Sequence, residues 1–156
     1  MTPDWLARLA QSLQVAGLPW RDAWGPDLAH LQTLLAEGNR KTNLVGDPSP
    51  AGFVRHVSEA LAVAAATERA LGKVPARVVD VGAGAGLEAL VLALVWPEAQ
   101  VVAVEPRALR HAFLSATTAA VARANLEVKG CSLHAAQLPS TFELATARAV
   151  WPPPEW

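Results

Sequence analysis

The chain has 156 residues, 52% of them hydrophobic and 17% charged, with a formal net charge of −1. That length carries one domain with a real core, and the composition excludes a disordered chain. Near-neutral charge excludes an overall basic field, so any RNA partner must be met by a local patch or by a surface this chain lacks. The single cysteine, Cys131, excludes a disulfide framework and points to a reducing compartment.

The start, Met1-Thr-Pro-Asp-Trp5, has no basic region and no apolar run, so it does not read as a signal peptide. No apolar stretch is both long and uncharged enough to span a bilayer, and a cytoplasmic protein without membrane contact is expected. Trp5, Leu6, Leu9, Ala10 and Leu13 recur at helical spacing, with Asp4 as the expected cap and Gly17 as the stop. Leu28, Leu31, Leu34 and Leu35 repeat the pattern between Pro26 and Gly38. After the turn-rich Asp47–Gly52, residues Phe53, Val54, Val57 and Leu61 begin a third helix that runs to about Leu71.

From Arg77 the pattern changes. Strands are predicted at 77–81, 101–105, 126–130 and 143–148, and helices at 86–95 and 107–124. Such alternation implies an α/β fold with a parallel sheet and crossover helices. The organisation expected is an N-terminal helical cap, 1–72, on a cofactor-binding core, 73–156. Four strands make a partial sheet, so the core reads as incomplete at its C-terminus, where Trp151-Pro-Pro-Pro-Glu-Trp156 ends the chain.

The most informative stretch is Asp80-Val-Gly82-Ala-Gly84-Ala-Gly86-Leu87-Glu88. It joins a β-branched run to a helix-forming one, the layout of a nucleotide-type cofactor cradle. Glycines suit a sharp turn and a close ligand, both of which a Cβ obstructs. Two cofactors compete. Gly84-Ala-Gly86-Leu-Glu-Ala89 fits the dinucleotide pattern G-x-G-x-x-A. Asp80 and Glu88, however, would repel a pyrophosphate at a helix start. S-adenosylmethionine has no phosphate and carries a sulfonium and an amino group, and D-x-G-x-G-x-G suits it better. Glu105 closes the next strand about 20 residues on, where an acid grips ribose hydroxyls in either case.

Five stretches together resemble the bacterial 16S ribosomal RNA guanine-N7 methyltransferases, also called glucose-inhibited division protein B. Asn39-Arg-Lys-Thr-Asn43-Leu44 looks like the family's W-N-K-x-x-N-L-T, and Arg55-His56-Val-Ser-Glu59-Ala60 like K/R-H-x-x-D-S. The glycine turn looks like D-V-G-x-G-x-G-L-P-G. Glu105-Pro-Arg-Ala-Leu-Arg110-His-Ala-Phe113-Leu114 looks like D-S-x-x-K-R-x-x-F-L, and Ala147-Arg148-Ala149 like S-R-A. The order and spacing of the five are far more specific than the turn alone.

The resemblance implies a Rossmann-like, class I S-adenosylmethionine-dependent methyltransferase acting on N7 of a guanine in the small ribosomal subunit. Gly82 and Leu87 would touch the cofactor, Leu133 and His134 would stand on its adenine side, and Arg148 would sit at the cofactor and catalytic centre. The chain departs from the family pattern at Gly38, Val45, Glu59-Ala60, Glu88-Ala89, Leu109, Ser132 and His134. These departures keep open a catalytically weak or inactive paralogue that binds RNA or ribosomes. The dinucleotide pattern keeps open a nicotinamide-dependent oxidoreductase.

Guanine N7 is already nucleophilic, so alignment and exclusion of water suffice and no catalytic dyad is expected. Arg148 could hold guanine O6 and phosphate, since arginine forks fit such acceptors. Arg40, Lys41, Arg55, Arg107, Arg110 and Arg123 are the candidate RNA-binding cations. His56 is read equally as a cofactor-pocket residue or as a polar anchor of the cap. His30, His111 and His134 show no metal-ligand spacing, with Cys131 or each other. Trp5, Trp20 and Trp24 are expected in the core of the cap, and Trp151 and Trp156 on the surface. No feature of the sequence sets an oligomeric state.

Overall fold

The computed structural model describes residues 3–148. Ala149 of the last motif and the tail tryptophans Trp151 and Trp156 lie outside the described residues.

Helix α1 (Asp4–Val15) buries Leu6, Leu9 and Leu13. Its cap differs from expectation. Pro3 is the residue at the helix entry, and Asp4 is the first helical residue, paired with Arg8 one turn on. A carboxylate in the first turn suits the helix dipole as well as a cap would. Helix α2 (Gly25–Asn39) carries Pro26 in its first turn, where a missing N–H costs nothing. Gly38, expected as its stop, lies inside it. There a Cβ would collide with the Phe113 and Leu44 side chains, so the glycine serves close packing rather than termination. Helix α3 (Pro50–Leu71) is capped by Ser49, whose Oγ accepts the Gly52 N–H at 3.2 Å, and it ends on left-handed Gly72. Trp24 is buried beneath these helices, and Trp5 packs edge-on against Phe53 with ring centroids 5.5 Å apart.

Four parallel strands follow: β1 (Arg77–Val81), β2 (Gln100–Val104), β3 (Leu126–Lys129) and β4 (Leu144–Ala147), in the order β3-β2-β1-β4. Asp80 stands beside Ala103 on one flank and Thr146 on the other. Helix α4 (Leu87–Val95) crosses from β1 to β2, and α5 (Ala108–Ala120) from β2 to β3. Residues 87–94 of α4 are all buried. The apolar sequence of this helix is accounted for by burial on every side, between the sheet and α3.

One hydrophobic cluster runs from Leu6 in α1 through α2–α5 to Leu126 in β3, so cap and core share a single interior. Strand residues alternate between faces. Val79, Val81, Val102 and Val104 point the other way, and their face is covered by Leu133, Ala136, Leu138 and Phe142 of the long β3–β4 connection.

Helix α5 ends four residues sooner than the predicted 124. Ala122 adopts a left-handed φ of 51°, and Arg123 folds back to bond the Val121 carbonyl and Asp27 of α2. The next residue but one, Asn125, has its Nδ2 within 3.1 Å of three carbonyls, those of Ala93, Trp96 and Ala99. It closes the C-terminal end of α4, where the last carbonyls have no helical partners. Asn125→Ala is expected to cost about 2–3 kcal/mol by leaving part-buried acceptors unpaired. A fall of about 5–10 °C in the thermal midpoint would register it.

Among the described residues no helix is long and apolar enough to cross a membrane.

Candidate cofactor cleft

The C-terminal ends of the four strands carry the chemistry. Past β1 the chain makes three left-handed residues in alternation, Gly82 (φ 68°), Gly84 (φ 61°) and Gly86 (φ 75°), before α4 begins. A side chain is strained at such angles, which accounts for three glycines rather than one. The amides of Gly82 and Ala83 both donate to the Val104 carbonyl, at 2.8 and 3.0 Å, so the turn is lashed to β2. A Cβ on Gly84 would meet nothing nearer than the Arg110 guanidinium at 4.0 Å, so backbone is open to a ligand there. Gly86 serves packing instead, because a Cβ there would drive into Leu114 of α5.

Two cavities flank the turn. The larger, about 500 Å³, is lined by Gly82, Glu105, Arg107, Leu133, His134 and Arg148 among others. The smaller, about 350 Å³, is lined by Leu44, His56, Asp80, Gly84, Leu87 and Glu88 among others. Gly82, Arg110 and Arg148 line both. Each volume falls in the range of small-molecule sites. All five sequence motifs therefore reach this one place, through Leu44, His56, the glycine turn, Glu105 with Arg107 and Arg110, and Arg148.

The smaller cavity is acidic at its base. Asp80 is 4% exposed and Glu88 7%. Burial first, and the neighbouring Glu88 second, push the Asp80 carboxyl up to about 7. The Thr146 hydroxyl donates to it at 3.2 Å and offsets part of that rise. Arg148 Nε lies 2.8 Å from Glu88, and its Nη1 donates to Glu59 of α3. Burial, and then the nearby Arg148 charge, lower the pKa of His56, which keeps its imidazole neutral at pH 7. With Glu88 paired to Arg148, Asp80 is the carboxyl that a bound cation would draw into its ionised form, and a phosphate beside it would be disfavoured.

Several of the site residues expected from the sequence take places that it did not disclose. Glu105 is 1% exposed, and its two oxygens accept the backbone N–H groups of Gly84 (2.7 Å) and Arg107 (2.8 Å). In this state it braces the glycine turn, and it also lines the larger cavity, each oxygen keeping a second acceptor site. Gly86 lines neither cavity and packs against Leu114 instead. Leu87 is a core residue that also edges the smaller cavity. Leu133 and His134 lie on the larger cavity with Ser132.

Of the six cations, Arg107 and Arg110 line the cleft, and Arg110 also donates to the Asn43 carbonyl at 3.3 Å. Arg40 and Lys41 line neither cavity and are exposed in the turn after α2 that leads to Asn43. Arg55 is exposed on α3, one residue before His56. Arg123 does not join them. It is held by Asp27 at 2.7 Å, just ahead of β3 and so at the opposite end of the sheet. Glu59, Glu88 and Thr146 were outside the set of site residues read from the sequence. Glu88 gave a signal as an acid at the start of the helix and Glu59 as the acid of the second motif, and Thr146 gave none. Among the described residues no three His, Cys, Asp or Glu side chains are grouped to hold a metal.

A profile of the rRNA small subunit methyltransferase G family matches residues 26–153. The ribosomal RNA small subunit methyltransferase G of Leptothrix cholodnii is 34% identical over 120 residues, covering 76% of this chain and 55% of that protein. The Salinispora arenicola protein of that name is 39% identical over 137 residues, covering 80% and 52%. The one from Xanthomonas campestris is 31% identical over 151 residues, covering 96% and 68%. The chain thus spans about half the length of the first two relatives. Among solved structures, a candidate O-methyltransferase from Klebsiella pneumoniae superposes with a TM-score of 0.54 at 16% identity, covering 88% of this chain and 58% of that one. At that identity the likeness speaks for the fold, the Rossmann-like sheet of class I methyltransferases.

Proposed function

The chain belongs to the rRNA small subunit methyltransferase G family, and on that premise we propose that it binds S-adenosylmethionine in this cleft and methylates N7 of a guanine in 16S ribosomal RNA, in the cytoplasm. The observation that carries the reading is the convergence of the five motifs on two cavities joined at Gly82.

The residues fit the cofactor. The open backbone at Gly84 admits close approach. The acidic base formed by Asp80 and Glu88 suits the cationic end, and Leu133 with His134 offers a surface for the base. When bound, the cofactor supplies a methyl group on a cationic sulfur. The chain's own residues then have to orient and to exclude water, since guanine N7 needs no base to become nucleophilic. Arg148, at the junction of the cavities, has guanidinium N–H groups that would donate to a base edge or phosphate. Neutral His56 adds no further positive charge to a cavity that Arg110 and Arg148 already line.

Exposed cations such as Arg40 and Lys41 suit the RNA backbone. Arg40→Ala with Lys41→Ala is expected to weaken 30S binding and to reduce the slope of log affinity against log salt by about one to two. Arg123→Ala, at the far end of the sheet, is expected to leave that slope unchanged. A filter-binding series across salt concentrations separates the two.

The functional test is tritium transfer from S-adenosylmethionine to 30S subunits lacking the modification, followed by nucleoside analysis. Label in 7-methylguanosine supports the reading. Retention on 30S subunits with no transfer replaces it by a non-catalytic binding module, and label in another nucleoside overturns the N7 assignment.

A further inference from the structure

We propose that Glu59 and Glu88 are positioning residues that clamp Arg148 between the helical cap and the core, fixing its guanidinium at the junction of the two cavities. The proposal rests on reading the cleft as the methyl-transfer site. Its geometry stands independently of that reading.

Arg148 follows β4 directly, and its side chain is about half exposed, at 46%. A side chain so placed ordinarily samples many rotamers, and an exposed ion pair fixes it weakly. Here two carboxylates from different elements engage two different nitrogens. Glu88, in the first turn of α4, meets Nε at 2.8 Å, and its side chain is only 8% exposed. A carboxylate so buried is poorly solvated, and losing its partner would leave an uncompensated charge. Glu59, on α3, accepts from Nη1 and is 47% exposed. The planar guanidinium held at two nitrogens loses the freedom to rotate about its last bond.

Glu59 lines neither cavity. Its links to the cleft run through Arg148 and through His56, whose Nδ1 is 3.8 Å away. Glu88 stands where the related pattern carries proline, so one arm of the clamp belongs to this chain rather than to that pattern. Other charged groups around the clamp are Asp80 on β1, Arg55 on α3 and Arg110 on α5, and Arg148 is ion-paired with none of them. Three elements, α3, α4 and the end of β4, are thereby tied at one guanidinium, and the seating of the cap on the core sets where that guanidinium points.

Two measurements on the full chain test the clamp. The first needs no activity: solvent exchange of the Arg148 guanidinium N–H protons, read by NMR on arginine-labelled protein. Slow exchange is expected in the wild type, with acceleration of about tenfold or more in Glu59→Gln and in Glu88→Gln as the fork is released. Equal exchange in all three overturns the clamp. Glu59→Gln, on an exposed helix face, keeps this arm decisive even if the Glu88 variant folds poorly.

The second is a double-mutant cycle on methyl transfer. Glu59→Gln is expected to lower kcat about tenfold while leaving cofactor affinity within about twofold. In an Arg148→Lys background the same change is expected to have no further effect, because the partner it positions is gone. Equal losses in both backgrounds, or no loss in the first, overturn the positioning role. If the wild type transfers no methyl group, the functional reading falls, and the exchange measurement alone decides the clamp.

Discussion

Replacing Asp80 by Asn is expected to stabilise the protein above pH 7 and to cost it the cofactor. Burial raises the folded carboxyl to about 7 from an ordinary 3.8, with Glu88 adding to the rise. Between those values the folded protein keeps a proton that the unfolded chain has released. The stabilising contribution is therefore complete below about pH 4 and is lost as pH rises through 7. At about 1.4 kcal/mol per pH unit the loss is of order 4 kcal/mol, as an upper bound. Asn carries no charge and can keep a hydrogen bond with Thr146, so the variant escapes the decline. Thermal melts should coincide near pH 4 and separate by about 5–10 °C at pH 8, the variant being higher.

Affinity should move the other way. A cationic ligand draws Asp80 into its ionised form, so binding near pH 6 should release a proton, seen by calorimetry in buffers of different ionisation enthalpy. Removing that charge is expected to weaken cofactor binding by about 10–100-fold. A variant with wild-type melting at pH 8 and wild-type affinity would leave Asp80 with no part in holding the cofactor.

The second large effect separates two neighbouring glycines. Gly86→Ala places a Cβ at φ 75° and against Leu114, which is itself fully buried. Left-handed strain of about 1–2 kcal/mol and overpacking of about 1–3 kcal/mol act together. The expected fall is about 5–15 °C in the melting midpoint. Gly84→Ala meets the same backbone strain at φ 61° but no collision. It should cost only about 1–2 kcal/mol in stability while coating the backbone that a ligand must approach. Equal melting of the two variants would contradict this division of labour, in which Gly86 serves the fold and Gly84 the ligand.

Much of the fold was legible because its signals are local. The β-branched run at 77–81 became β1 without a shift, with Asp80 near its carboxyl end and Glu105 just past β2. What was missed depended on distant partners. Residues 121–129 contain no glycine or proline to end helix α5. It ends because Ala122 turns left-handed and Arg123 reaches Asp27, 96 residues away. Gly38 reads as a helix stop, yet it sits inside α2 because Phe113 of α5 crowds it.

The site divides along the same line. The glycine turn announced itself by spacing, as did Asp80 and Glu88. The partnership of Arg148 with Glu59 could not be seen, since 89 residues separate them and neither residue is unusual locally. Glu105 was placed correctly along the chain, but which groups its oxygens bind depends on how the turn folds over it. Arg123 was grouped with the other cations by charge alone, and charge does not report which end of a sheet a residue occupies.

On the proposed function, the acid-flanked glycine turn holds a sulfonium cofactor rather than a phosphate-bearing dinucleotide. Calorimetric titration of the chain with S-adenosylmethionine, and separately with NADH, tests it most directly. A one-site isotherm with S-adenosylmethionine that weakens in Asp80→Asn is predicted, with no heat of binding for NADH. Saturable binding of NADH, or none of S-adenosylmethionine, would contradict it.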